Sequence, residues 1–181
     1  MKKIAPIALI MLSGLALAAC NPLEKQPVGN VSVPQPRKPV ELNRYLGKWY
    51  EQGRYEASFQ KGCEKVTADY AAKPDGSIAV VNSCRQSDPA GPLRTAEATA
   101  RVVDGSGGAK LKVTFFWPFQ GDYWILDRAS DYSWSIVGEP SGKYLWILTR
   151  DETISRRHYA ALVSRARALG YDTDLLRRTQ Q

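Results

Sequence analysis

At 181 residues the chain holds one ordinary domain with a few dozen residues to spare. Its 25 Lys and Arg against 18 Asp and Glu leave a net charge of +7, and an apolar content of 44% excludes a disordered polyelectrolyte. One histidine and three cysteines are too few ligands for a zinc site, so no metal or other cofactor is expected.

The N-terminus reads as a targeting segment. Met1-Lys2-Lys3 is basic, and Ile4 to Ala16 is apolar but too short and too rich in small residues for a good membrane span. Residues 1–19 are therefore expected to be a signal peptide, ending in Leu17-Ala18-Ala19 before Cys20. Small residues ahead of a cysteine resemble the bacterial lipobox, in which cleavage precedes the cysteine and its thiol receives a diacylglycerol. That resemblance implies a lipidated Cys20, held by acyl chains such as palmitate at about 0.8 kcal/mol per buried CH₂; the alternative is an ordinary signal peptide with Cys20 incidental. Asn21 follows the cysteine where lipoproteins retained in the inner membrane resemble one another in carrying Asp, which implies an outer-membrane, periplasm-facing location. Loss of Lys2 and Lys3 lowers the charge to +5. Pro22, Pro27, Pro34, Pro36 and Pro39 make residues 20–40 an expected lipidated, proline-rich tether that lifts a domain of residues 41–181 off the bilayer.

Short runs rich in Val, Ile, Tyr, Phe and Trp follow, separated by turn residues. Strands are predicted near 47–56, 64–72, 77–85, 94–104, 109–117, 122–128, 132–138 and 143–149. Hairpin-length spacing favours a meander, and eight strands is the number at which an antiparallel up-and-down barrel holds one small ligand. Closure pairs the first strand with the last, so Gly47 and Trp49 at one end of the chain meet Arg150 at the other, and Trp49 and Arg150 are expected to stack as a cation–π pair that closes the base.

With Cys20 assigned to the anchor, Cys63 and Cys84 remain as an even pair in an oxidising compartment, and a disulfide is expected. They flank the turn Pro74-Asp75-Gly76, but their midpoint is offset from it, so a β-bulge is needed to bring them together. One C-terminal helix follows the strands: Thr153 or Ser155 caps it, Tyr159, Leu162, Val163, Ala166 and Leu169 recur at helical spacing, and Gly170 ends it. Residues 171–175 are expected to add a short edge segment and the last residues to fray. The tail arginines Arg156, Arg157, Arg165, Arg167, Arg177 and Arg178 make either a solvated helix face or a surface for anionic headgroups. An exported chain has little access to nucleic acid, so none is expected as partner.

Three segments carry a family resemblance. Gly47-Lys48-Trp49-Tyr50-Glu51 is similar to the G-x-W motif of the lipocalins, Ser130-Asp131-Tyr132 to their T-D-Y motif with Ser for Thr, and Arg150 to the arginine that ends their last strand. Longer stretches such as Leu111 to Phe119 and Tyr144 to Arg150 resemble the bacterial outer-membrane lipocalins and their apolipoprotein D-like relatives. The resemblance spans roughly residues 42–176. It implies an all-β, eight-stranded barrel with a flanking helix, and a cargo of fatty acid, lysophospholipid or another small hydrophobic molecule.

Strand alternation names the side chains expected to face that cargo. They are Val66, Ala68 and Tyr70; Val80 and Asn82; Ala98 and Ala100; Val113, Phe115 and Trp117; and Trp146 and Leu148. Between 122 and 128 the periodicity is ambiguous, and the resemblance implies Trp124 and Leu126. Glu51 shares parity with Trp49 and is expected at the rim, in a water-linked pair, or on a ligand headgroup.

Three functions compete. The first is a membrane-anchored carrier of a small hydrophobic ligand. The second is a structural or interaction lipoprotein with a side-chain-filled barrel and a basic helix face. The third, an enzyme acting on a bound lipid, is disfavoured because His158 stands alone on the basic helix and no nucleophile motif surrounds it. Monomer and homodimer both remain open.

Overall fold

Residues 26–181 are described by the computed structural model; residues 1–25, with the expected signal peptide and Cys20, lie outside the described residues. A single turn of helix, α1 (Leu42–Tyr45), leads into eight strands: β1 (Gly47–Tyr55), β2 (Cys63–Ala72), β3 (Ile78–Gln86), β4 (Leu93–Val102), β5 (Lys110–Phe116), β6 (Phe119–Arg128), β7 (Trp134–Gly138) and β8 (Leu145–Thr149). Helix α2 (Arg156–Ala168) and a ninth strand, β9 (Leu176–Arg178), complete the chain. Each of β2 to β7 pairs antiparallel with the next. β1 then pairs with both β8 and β2, which closes the barrel.

The chain enters β1 at one end of the barrel, the base, where the β2–β3, β4–β5 and β6–β7 turns also lie. The β1–β2, β3–β4, β5–β6 and β7–β8 loops surround the other end, the mouth. β6 begins three residues earlier than the alternation predicts, because the hairpin turns tightly at Trp117-Pro118. β7 begins two residues later, because Tyr132 takes a left-handed φ of 62° and belongs to the base turn.

Helix α2 lies on the outside. Ser155 caps it by accepting from the His158 N–H, and Gly170, at φ 92°, follows its end. Its apolar stripe packs Leu162 on Ile147 and Ile154, and Ala166 on Tyr55, Leu145 and Ile136. The outward faces of β6 to β8 are thus as apolar as the inward ones.

Cys63 and Cys84 form a disulfide with Cα atoms 5.4 Å apart. The β2–β3 register shifts between Glu64 and Thr67, next to the cystine, so a β-bulge supplies the offset that the sequence requires.

Two expectations fail at the chain's ends. Residues 26–40 do not form a free spacer in their described part: they run along the barrel wall from mouth to base. The Gly29 and Asn30 amides donate to the Gly142 carbonyl at the mouth (3.0 and 3.2 Å), and the Val40 amide donates to Gly107 at the base (2.8 Å). Nor do the last residues fray. β9 pairs with the upper half of β1, where β2 has diverged, and the Gln181 amide bonds the Glu51 and Val66 carbonyls across the gap. The edge segment expected at 171–175 is a 3₁₀ turn at Thr173–Leu175, with the strand just beyond it. An uncovered β1 edge would leave buried amides unpaired, and the tail supplies their partners.

Candidate functional site

At the base the three motif segments converge on α1. The Arg150 guanidinium lies 3.8 Å from the centre of the Trp49 ring. Its NH groups donate to the carbonyls of Arg44 (2.9 Å), Tyr45 (3.1 Å) and Leu46 (2.9 Å), acceptors where α1 ends, and to that of Lys48 in β1 (2.6 Å). The Trp49 indole N–H donates to Tyr45 O at 2.8 Å. Gly47 turns the chain into β1 at φ 87°, a conformation that a side chain would strain, and its open side faces the Arg150 guanidinium. The Tyr132 ring is sandwiched between the guanidinium groups of Arg44 and Arg128 (4.3 and 4.1 Å), and its hydroxyl accepts the Glu41 amide.

Above this plug lies a floor of three tyrosines. The Tyr123 hydroxyl bonds those of Tyr45 (2.9 Å) and Tyr70 (3.0 Å), and Tyr45 also bonds Ser135 Oγ (3.1 Å). Burial pushes the Tyr45 phenol up to about 12 and raises Tyr70 and Tyr123 in the same direction, so all three stay neutral.

The pairing register identifies the inward face without reference to periodicity, because directly opposed residues share a face. One inward row runs Trp49, Ala68, Asn82, Ala96; another Tyr70, Val80, Ala98; a third Ala100, Val113, Gly121. Leu111 opposes Tyr123, and Ile125 opposes Val137, which in turn opposes Trp146. Tyr70, Val80, Ala100 and Leu148 are buried in the lower core. Ala68, Asn82, Ala98, Val113, Tyr123 and Trp146 point inward yet keep part of their surface accessible, so the inward face above the floor is not filled by side chains as the lower core is. Val66 packs on the cystine near the mouth.

Three of the residues expected to face a ligand lie elsewhere. Trp124 opposes Lys110, whose ammonium sits 4.2 Å from the centre of its ring, and the row continues to Gly138 and Leu145 on the outside. Leu126 packs in the same outer cluster beneath α2. Tyr123 and Ile125 take the inward positions instead. Four consecutive apolar residues, Tyr123 to Leu126, arise because α2 and the N-terminal segment cover the outer wall, and this hid the parity. Trp117 stands at the hairpin tip with 87% of its surface exposed, beyond a register shift between Val113 and Phe116 that ends the alternation. Phe115 is half exposed at the same rim.

Glu51 is not a rim residue. It is buried beside Arg54, an inward residue that the sequence reading missed, with 2.8 Å between carboxylate and guanidinium. Glu51 faces inward with Trp49, and a register shift between Glu51 and Gly53 turns Arg54 inward as well. Arg54 also donates to Glu56, Cys63 O and Gln60 O, while Gln60 bonds Glu51 and receives the Trp146 indole N–H. Every Arg54 nitrogen has an acceptor, so this buried charge is compensated within the barrel wall. Among the described residues no three His, Cys, Asp or Glu side chains are placed to hold a metal.

A closed antiparallel barrel plugged by a Trp–Arg pair at one end, open at the other and flanked by a single helix is a lipocalin-type cup. The family model for the lipocalin-like domain matches residues 40–181, and the chain belongs to that family. It is 41% identical over 158 residues to the outer membrane lipoprotein Blc of Vibrio cholerae, covering 84% of this chain and 91% of that protein. It is 37% identical over 153 residues to temperature-induced lipocalin-1 of Arabidopsis thaliana, covering 80% and 81%. Among solved structures, insecticyanin of the tobacco hornworm Manduca sexta superposes with a TM-score of 0.62 at 15% identity, covering 86% of this chain and 85% of that one, a likeness of fold alone.

Proposed function

We propose that this chain is a membrane-anchored lipocalin that binds and carries a small hydrophobic ligand, of the fatty-acid or lysophospholipid class, in its barrel cup. The observation that carries this reading is the group of inward residues on neighbouring rows, Ala68 and Asn82 beside Ala98, still accessible above a sealed base. Val113 and Trp146 supply apolar wall for an acyl chain, at about 25 cal/mol per Å² buried. Asn82 and the Tyr123 hydroxyl offer polar contacts that orient it. Lipidation of Cys20 and an outer-membrane, periplasm-facing location draw support from the lipobox and from relatives called outer membrane lipoproteins.

The alternative, an interaction lipoprotein using a basic helix face, loses support from four of the six tail arginines, Arg156 and Arg157 standing exposed on the first turn of α2. Arg165 pairs with Asp127, Arg167 with Thr173, Arg177 with Glu56 and Glu64, and Arg178 covers the Tyr159 ring. Against an enzyme, His158 lies on the first turn of α2, outside the barrel.

Delipidated protein titrated with lysophospholipid or a long-chain fatty acid is expected to show saturable change in tryptophan emission, with Trp146 reporting from the cup. Ala98→Phe, which fills the inward space opposite Val80, is expected to abolish saturation while leaving the circular dichroism spectrum intact. Absence of saturable binding to every single-chain amphiphile overturns the reading.

A further inference from the structure

The N-terminal segment and the exposed aromatics share one end of the molecule. Every large apolar side chain that stands exposed among the described residues lies at or beside the mouth: Phe116 (80%), Trp117 (87%) and Phe119 (78%) on the β5–β6 hairpin, Phe115 beneath them, Phe59 (60%) on the β1–β2 loop, and Leu93 where β4 begins. Val28 and Val31 complete the set on the N-terminal segment where it crosses the β7–β8 loop. The base has none of them. Single exposed apolar residues need no explanation, but such a collection on one rim does. The same rim carries Lys61, Arg85, Arg94 and Lys143, which oppose the charge of anionic headgroups.

The segment's path fixes where residue 20 can be. At the base its Lys38 ammonium pairs with Asp127 (2.6 Å) and its Pro39 carbonyl accepts Arg128 (2.6 Å); midway, Gln35 meets Lys110 and Val33 packs in the outer cluster. At the mouth the Asn30 amide side chain donates to Leu169 O (3.0 Å), and Gln26 donates to Glu56 O (2.7 Å). Two glycines admit it there. A Cβ on Gly29 would enter the Tyr55 ring, and one on Gly142 would meet the Asn30 carbonyl. The chain therefore leaves the barrel at the mouth. Between Gln26 and Cys20 it reaches at most about 20 Å even fully extended.

We propose that the docked N-terminal segment is an orienting strap: it brings lipidated Cys20 out at the mouth, so that the cup faces a phospholipid bilayer with Phe116, Trp117, Phe119 and Phe59 seated in the interfacial layer. Aromatic rings favour that layer, and basic side chains complement its anionic headgroups. A single-chain lipid then passes between bilayer and cup without crossing open water. The proposal rests on the anchored-carrier reading above and adds the direction in which the cup points.

The test uses the lipidated full-length chain in vesicles of phosphatidylcholine and phosphatidylglycerol, with part of the phosphatidylcholine brominated on its acyl chains. Wild-type tryptophan emission is expected to be quenched, and the quenched fraction to disappear in Trp117→Phe. Mass spectrometry of the mature N-terminus reads Cys20 lipidation on the same samples. Lipidated protein with equal quenching in both chains, or none in either, overturns the orientation and leaves ligand binding untouched. An unmodified Cys20 overturns the orientation and the anchor together, while the amphiphile titration still judges the carrier. Cross-links between two Trp117→Cys chains that form without lipid identify a second copy as the occupant of the rim and overturn the proposal too.

Discussion

The base and the mouth of this barrel are built on opposite rules. At the base Trp49 and Tyr45 are fully buried, and Arg150 spends its donors on four backbone carbonyls and its face on an indole. At the mouth the rings of Phe116, Trp117 and Phe119 stand largely exposed among the described residues. The difference separates two uses of the same residue types. Aromatics at the base are packed and hydrogen-bonded, and those at the mouth stand exposed. Between them Ala68, Asn82, Ala98 and Val113 face inward and keep part of their surface accessible, the wall on which the proposed cargo would rest.

If the base bears the stability, Trp49→Ala is expected to cost about 4 kcal/mol in urea unfolding, the usual loss for a buried aromatic left as a cavity. A cost near that of a surface change would erase the distinction between the two ends. The tyrosine floor gives a second, pH-dependent mark of the base. Tyr45 titrates near about 12 in the folded chain because of burial, against about 10 in the unfolded one. Its contribution is therefore complete below about pH 10 and declines as pH rises toward about 12, since the unfolded chain releases the proton first. Tyr45→Phe is expected to flatten that alkaline loss, measured as urea midpoints across the range. The smallest effect is expected at the rim: Trp117→Ser should change stability by no more than about 0.5 kcal/mol. A larger loss would mean that the mouth aromatics serve the fold after all.

The sequence made the base legible and left the mouth and outer wall obscure, for physical reasons. Gly47, Trp49 and Arg150 could be placed because closure of a meander forces its ends together. Ala98 and Val113 could be placed because β4 and β5 alternate small or apolar residues with polar ones, whereas Ile78 to Val81 leave the parity of β3 open in the sequence and its pairing with β2 and β4 turns Val80 inward. Trp124 and Leu126 could not, because α2 and the N-terminal segment bury the outside of β6 as thoroughly as the inside. Arg54 escaped because the register shift in β1 inverts the parity that Gly53 would otherwise set. The proline-rich segment resembled a spacer by composition. Its seat depends on contacts with Gly142, Leu169 and Asp127, more than 80 residues away in sequence, which composition does not encode. The C-terminal residues likewise read as a fraying end, yet Thr179 bonds the buried Glu51 carboxylate and Gln181 bridges β1 and β2.

Native mass spectrometry of the protein released gently from membranes reads whether the space above the tyrosine floor holds one amphiphile. A mass increment of a single-chain lipid is expected at one per barrel, lost on solvent extraction and absent in Ala98→Phe. A wild-type protein that carries no such increment, or an Ala98→Phe protein that carries the same one, would contradict a lipid held in the cup.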